Sequence, residues 1–70
     1  MLPLSVAQPG EKNIIIKITG KDDVRQHLAK LGFVAGAEVT IISANGSNVI
    51  LLIKESRIGL DKSLANRIMV

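Results

Sequence analysis

The chain contains no cysteine, tryptophan or tyrosine, a single phenylalanine (Phe33) and a single histidine (His27) among its 70 residues. Without cysteine there is neither a disulfide framework nor a thiolate metal site to brace a small fold, and the composition suits a reducing compartment. Aromatic side chains are the platforms on which single-stranded nucleic acids stack, so their near absence argues against RNA or single-stranded DNA as the partner. Long hydrophobic runs are also missing. The longest, Val49 to Ile53, falls far short of the roughly 20 residues that span a bilayer. Met1 to Val6 lacks the positively charged start of a secretory leader, and Pro3 and Pro9 interrupt the apolar residues there. The expectation is a soluble, cytoplasmic protein.

Aliphatic residues make up the difference. Apolar residues are 47% of the chain, and with one aromatic the core must be built from Ile, Val and Leu. A chain of this length makes one domain, residues 1–70, and buries only about 60% of the surface its unfolded form exposes. Nine basic residues against six acidic ones give a net charge of +3. That mild excess is spread along the chain and does not by itself name an anionic partner.

The order of local signals is that of a small β protein with one helix. Ser5 to Gly10 reads as a turn ending at Pro9-Gly10. Glu11 to Thr19 is dense in β-branched residues and predicts a first strand, with Ile14, Ile16 and Ile18 alternating against Lys17. From Lys21 to Leu31 the period changes: Val24, Leu28 and Leu31 recur on one helical face. Thr19 and Asp22 suggest a capping box, Asp22 and Asp23 place negative charge at the positive end of the helix dipole, and Gly32 is a natural stop onto which Phe33 folds back toward Leu28. Ala37 to Ser43 predicts a second strand, and Asn45-Gly46 a hairpin. Val49 to Ile53 is a third strand. Arg57 to Asp61 is a fourth, with a bulge or bend at Gly59. After room for one helical turn at Lys62 to Asn66, Arg67 to Val70 closes the set as a fifth. The predicted fold is mainly β: a small SH3-like barrel of about five strands, with an α-helix inserted over about residues 21–31. Closing the sheet would remove exposed edges.

The residues offer little chemistry. His27 has only Asp23 at helical spacing, two groups where a specific metal site wants three or four. Direct metal binding by that pair is therefore a weak alternative. The serines at 5, 43, 47, 56 and 63 form no arrangement with a base and an orienting group. Neither Leu31 to Gly36 nor Asn45 to Ser47 carries the lysine of a phosphate-binding loop. No catalytic residue, metal ligand or cofactor is predicted, and the protein is not expected to be an enzyme. A positive hint points to protein contact. Strand three is apolar on both faces, with Val49, Leu51 and Ile53 on one side and Ile50 and Leu52 on the other, and Ile15 and Ile42 add to the excess. Either the helix and N-terminal segment cover the outer set, or it forms an exposed apolar patch of the kind that marks an interaction surface or a homo-oligomer contact.

The stretch Arg25, Leu28-Ala-Lys-Leu31-Gly32-Phe33-Val34-Ala35-Gly36 resembles the FeoA family, ferrous iron transport protein A. So do the opening Pro9-Gly10-Glu11, the Ile58-Gly59-Leu60 segment and the closing Leu64 to Val70. The likeness runs the length of the chain in the right order. Ala35 replaces the family's usual proline, and the loop Ala44 to Asn48 lacks the longer connection that many members carry. The resemblance implies a small cytoplasmic SH3-like protein supporting FeoB, the Fe(II) membrane transporter, through its GTPase portion, and meeting the membrane only through that partner. It implies no catalytic residue and no established iron ligand. The same barrel is similar to the C-terminal domain of metal-dependent repressors of the DtxR type, so a detached domain of that kind is an alternative, as is an RNA-binding SH3-like barrel. Residues flanking the helix and its exit are the candidates for the partner contact: Arg25, Leu28, Phe33 and Val34, with Arg57 as a further charge contact. Leu28 reads first as core and Phe33 first as the helix-stop contact, while Arg25 reads equally as a residue at the rim of the apolar face.

Overall fold

The computed structural model describes all of residues 1–70. After a 3₁₀ turn at Leu4–Val6 come strands β1 (Lys12–Ile14) and β2 (Lys17–Ile18), then helix α1 (Asp22–Lys30). Strands β3 (Glu38–Asn45), β4 (Asn48–Ile53) and β5 (Ser56–Asp61) follow, then a single helical turn, α2 (Lys62–Ala65), and β6 (Ile68–Met69).

The expected first strand is broken in two. β1 pairs antiparallel with β3, Ile14 opposite Glu38, whereas β2 pairs with β6, Ile18 opposite Ile68. Between them the backbone of Ile15 donates to the Ala37 carbonyl (2.9 Å) and accepts from the Gly36 N–H (2.8 Å). The chain thereby passes from a four-stranded sheet, order β1-β3-β4-β5, to a two-stranded one, β2-β6. There are six strands, and the ladder does not close into one continuous barrel sheet. The corner also reverses the expected alternation: Ile15 is buried, while Ile14 and Ile16 are half exposed, at 50% and 53%. Ile14-Ile15-Ile16 contains no polar residue to mark which side faces water, and a one-residue slip exchanges the two faces of a strand.

Helix α1 lies where its period predicts. Its N-cap is Lys21, with no side-chain cap, and the Thr19 hydroxyl donates instead to the Arg67 carbonyl at 3.3 Å, so the capping box does not form. The C-terminus is closed as expected. Gly32, at φ +104°, donates to Ala29, and Phe33 donates to Leu28, each at 3.0 Å. This is the paired bond set of a glycine-terminated helix.

The core is wholly apolar, with no buried polar or charged residue. β4 supplies Val49, Leu51 and Ile53, β3 supplies Val39 and Ile41, and Leu28, Phe33 and Ile68 join them from the helix, its exit and β6. Leu4 anchors the N-terminal turn in the same cluster. The outward side chains of the sheet are not covered: Ile42, Ile50 and Leu52 are 37–38% exposed. Of the two readings of the apolar excess, the exposed patch is the one found on the sheet, although Ile15 has gone to the core. The β3–β4 hairpin pairs Asn45 with Asn48 across Gly46-Ser47, one residue beyond the Asn-Gly pair, with Gly46 at φ +56°. The bulge expected at Gly59 is absent. The β4–β5 ladder is unbroken there, and the register shift falls in β3 between Ile41 and Ser43.

Candidate interaction site

Helix α1 carries two faces. Leu28 points into the core with Val24 and Leu31 packed beside it, whereas Asp22, Arg25, Gln26 and Ala29 lie on the other side. That outer face leans over β2 and the segment that leaves the helix. The result is a cleft of about 420 Å³ lined by Lys17 and Ile18 from β2, by the outer helix face, and by Phe33, Val34 and Ala35. The backbone bond from Phe33 to Leu28 explains why the exit segment reaches it: closing the helix there turns residues 33–35 back beside the last turns of α1.

Of the five sequence-nominated residues, the structure brings three to this cleft. Arg25 is exposed on its rim, Val34 is 43% exposed beside it, and Phe33, fully buried, forms the floor. Leu28 is fully buried in the core, so neither Leu28 nor Phe33 offers a surface side chain to a partner; each holds the site from behind. Arg57 is elsewhere, on the outer face of β5 opposite Leu52. Lys17, Ile18, Gln26 and Ala29 were not nominated. The helical spacing 22, 25, 26, 29 could have revealed the outer face as a unit, but nothing local joins β2 to it.

The rim holds two cations, Lys17 and Arg25, and one carboxylate, Asp22. Arg25 Nη1 lies 3.4 Å from Asp22 Oδ1, three residues away on the helix, and both side chains are well exposed. Such a pair contributes only about 0.2–0.5 kcal/mol. It orients the guanidinium without neutralising the rim. His27 is exposed, and the Asp23 carboxylate accepts the Val24 N–H at 2.9 Å. Nowhere do three or more His, Cys, Asp or Glu side chains converge, and no helix is long and apolar enough to cross a membrane. A shallow, apolar cleft with a basic rim can bind an apolar side chain flanked by acid.

The comparisons with known proteins agree among themselves. Residues 2–70 match the model of the FeoA domain. A protein of Methanocaldococcus jannaschii, provisionally named Fe(2+) transport protein A, is 34% identical over 70 residues, which are all of this chain and 85% of that one. The crystal structure of an iron uptake regulatory protein, FeoA, superposes with a TM-score of 0.88 at 31% identity, covering 96% of this chain and 91% of the other. The zinc complex of FeoA from Stenotrophomonas maltophilia, described as a procaryotic SH3 domain protein, gives a TM-score of 0.87 at 23% identity, covering 99% and 88%. The two separate sheets and inserted helix are thus a small SH3-like fold.

Proposed function

The chain belongs to the FeoA family, and on that premise we propose that it is a cytoplasmic accessory protein of ferrous-iron uptake, acting by direct contact with the GTPase portion of the FeoB transporter. The family is one of transport-associated SH3-like proteins and not of enzymes. Two relatives support the pathway: one is named for Fe(2+) transport, and the FeoA of S. maltophilia is described as a candidate activating factor for bacterial ferrous iron transport.

One observation carries the reading of where contact occurs. The cleft between α1, β2 and residues 33–35 combines an apolar floor with the basic rim of Lys17 and Arg25, on a molecule in which no three His, Cys, Asp or Glu side chains converge. The contact residues are Arg25 and Val34, with Phe33 and Leu28 supporting them from the core. The only aromatic residue is fully buried, which leaves an RNA-binding reading without a stacking platform.

Capture of the intact transporter by immobilised protein tests the proposal. The wild type retains it, and Arg25→Glu and Val34→Asp each lower retention by roughly tenfold or more, the loss of about 1.4 kcal/mol or more of binding energy. Retention unchanged in both variants would place the contact elsewhere.

A further inference from the structure

We propose that the free edge of β5 is a homodimer interface, in which two copies pair antiparallel about a two-fold axis through Gly59. This is independent of the reading above, since β5 is not part of the α1 cleft.

The edge is open and its hydrogen-bonding groups are identifiable. β5 has β4 on one side and no strand on the other. Lys62, continuing the ladder, donates its N–H to the Ser47 carbonyl at 2.8 Å. Because strand residues alternate, Ser56, Ile58 and Leu60 also turn their backbone groups toward β4, and Arg57, Gly59 and Asp61 turn theirs away. No backbone bond from a turn or loop reaches Arg57 or Gly59, the Asp61 carbonyl accepts the first bond of α2 as its N-cap, and all three residues are exposed. Soluble proteins usually guard such an edge with proline, charged side chains, a bulge or a very short strand. β5 is six residues long, regular in register and without proline, and its two outward charges, Arg57 and Asp61, are of opposite sign, so they do not repel a second copy paired antiparallel.

Its sequence is self-complementary. With Gly59 opposite Gly59 of the second copy, antiparallel pairing sets Arg57 opposite Asp61 and Asp61 opposite Arg57 on the same face. Opposite charges then meet twice. Arg57 takes part in neither ion pair of the monomer, and Asp61 accepts only the Ser63 hydroxyl at 2.9 Å, on Oδ1, leaving its second oxygen for an arginine. The two glycines at the axis leave space that Ile50 already overhangs: a methyl group added to Gly59 would sit 3.9 Å from Ile50 Cδ1. The half-exposed Ile50 and Leu52 of both copies then form one apolar band across a continuous eight-stranded sheet. Each surface patch meets its own copy, as a two-fold contact requires.

Sedimentation with charge variants decides the matter. The wild type sediments at twice the monomer mass. Arg57→Glu and Asp61→Lys, each of which sets like charges opposite, sediment as monomers. An equimolar mixture of the two variants returns to dimer mass, because every facing pair is again of opposite sign. A monomeric wild type, a dimer indifferent to Arg57→Glu, or a mixture that stays monomeric would each overturn the proposal. Should either variant misfold, amide exchange in the wild type stands alone. The outward Gly59 N–H slows by roughly tenfold or more on concentration while Leu60 is protected throughout; a Gly59 amide insensitive to concentration contradicts the interface.

Discussion

The Phe33 amide donates to the Leu28 carbonyl at 3.0 Å, and both side chains are fully buried. One bond thus ties the end of α1 to the segment that floors the cleft. Gly32, between them at φ +104°, makes the geometry possible, since residues with a Cβ rarely adopt that conformation. An added Cβ would meet Ile53 Cγ1 at 3.7 Å, an ordinary contact, so the cost of Gly32→Ala is conformational. It is about 1–2 kcal/mol, a fall of roughly 4–8 °C in Tm for each kcal/mol in a domain of this size. Thermal unfolding followed by circular dichroism checks it.

Lys54 is the mirror case. It sits in the turn between β4 and β5 at φ +56°, the one residue other than glycine with a positive φ. Lys54→Gly relieves that strain and raises stability, by about 0.5–1 kcal/mol after the added chain entropy of glycine. Urea denaturation measures the gain as a higher midpoint with an unchanged slope.

Adjacent residues of β4 separate burial from hydrophobicity. Leu51 is fully buried and Leu52 is 37% exposed. Leu51→Ala removes side-chain volume from the core and costs about 2–5 kcal/mol, a large share of what so small a domain has. Leu52→Ala stays within about 0.5 kcal/mol. Equal losses for the two would show that the outer face is covered in solution.

That contrast marks what was legible in the sequence. β4 declares its two faces by spacing once the fold class is known, and α1 declares its start by acid, its face by period and its end by glycine. The corner at Ile15 could not be read, because three successive isoleucines carry no polar signal of parity. Leu4 was invisible as a core residue because its partners lie far away in sequence. The bulge was expected at Gly59, where glycine permits one, but fell at Ile42, where the hairpin's register demanded it. For the site, the sequence named Arg25, Phe33 and Val34 because they flank a recognisable helix exit. Lys17 and Ile18 join them only through the pairing of β2 with β6, which no local pattern announces.

The exposed ion pairs contribute little. Lys12 Nζ and Glu38 Oε2 are 3.7 Å apart with both side chains more than half exposed. Glu38→Gln changes stability by no more than about 0.5 kcal/mol, and urea midpoints with and without added salt show the same small difference.

Amide chemical-shift mapping with the cytosolic portion of the transporter bears most directly on the central claim. The account predicts that Ile18, Gln26, Ala29, Val34 and Ala35 shift together around the cleft while β4 and β5 are unmoved. Shifts confined to the outer sheet, or none at saturating partner, would contradict it.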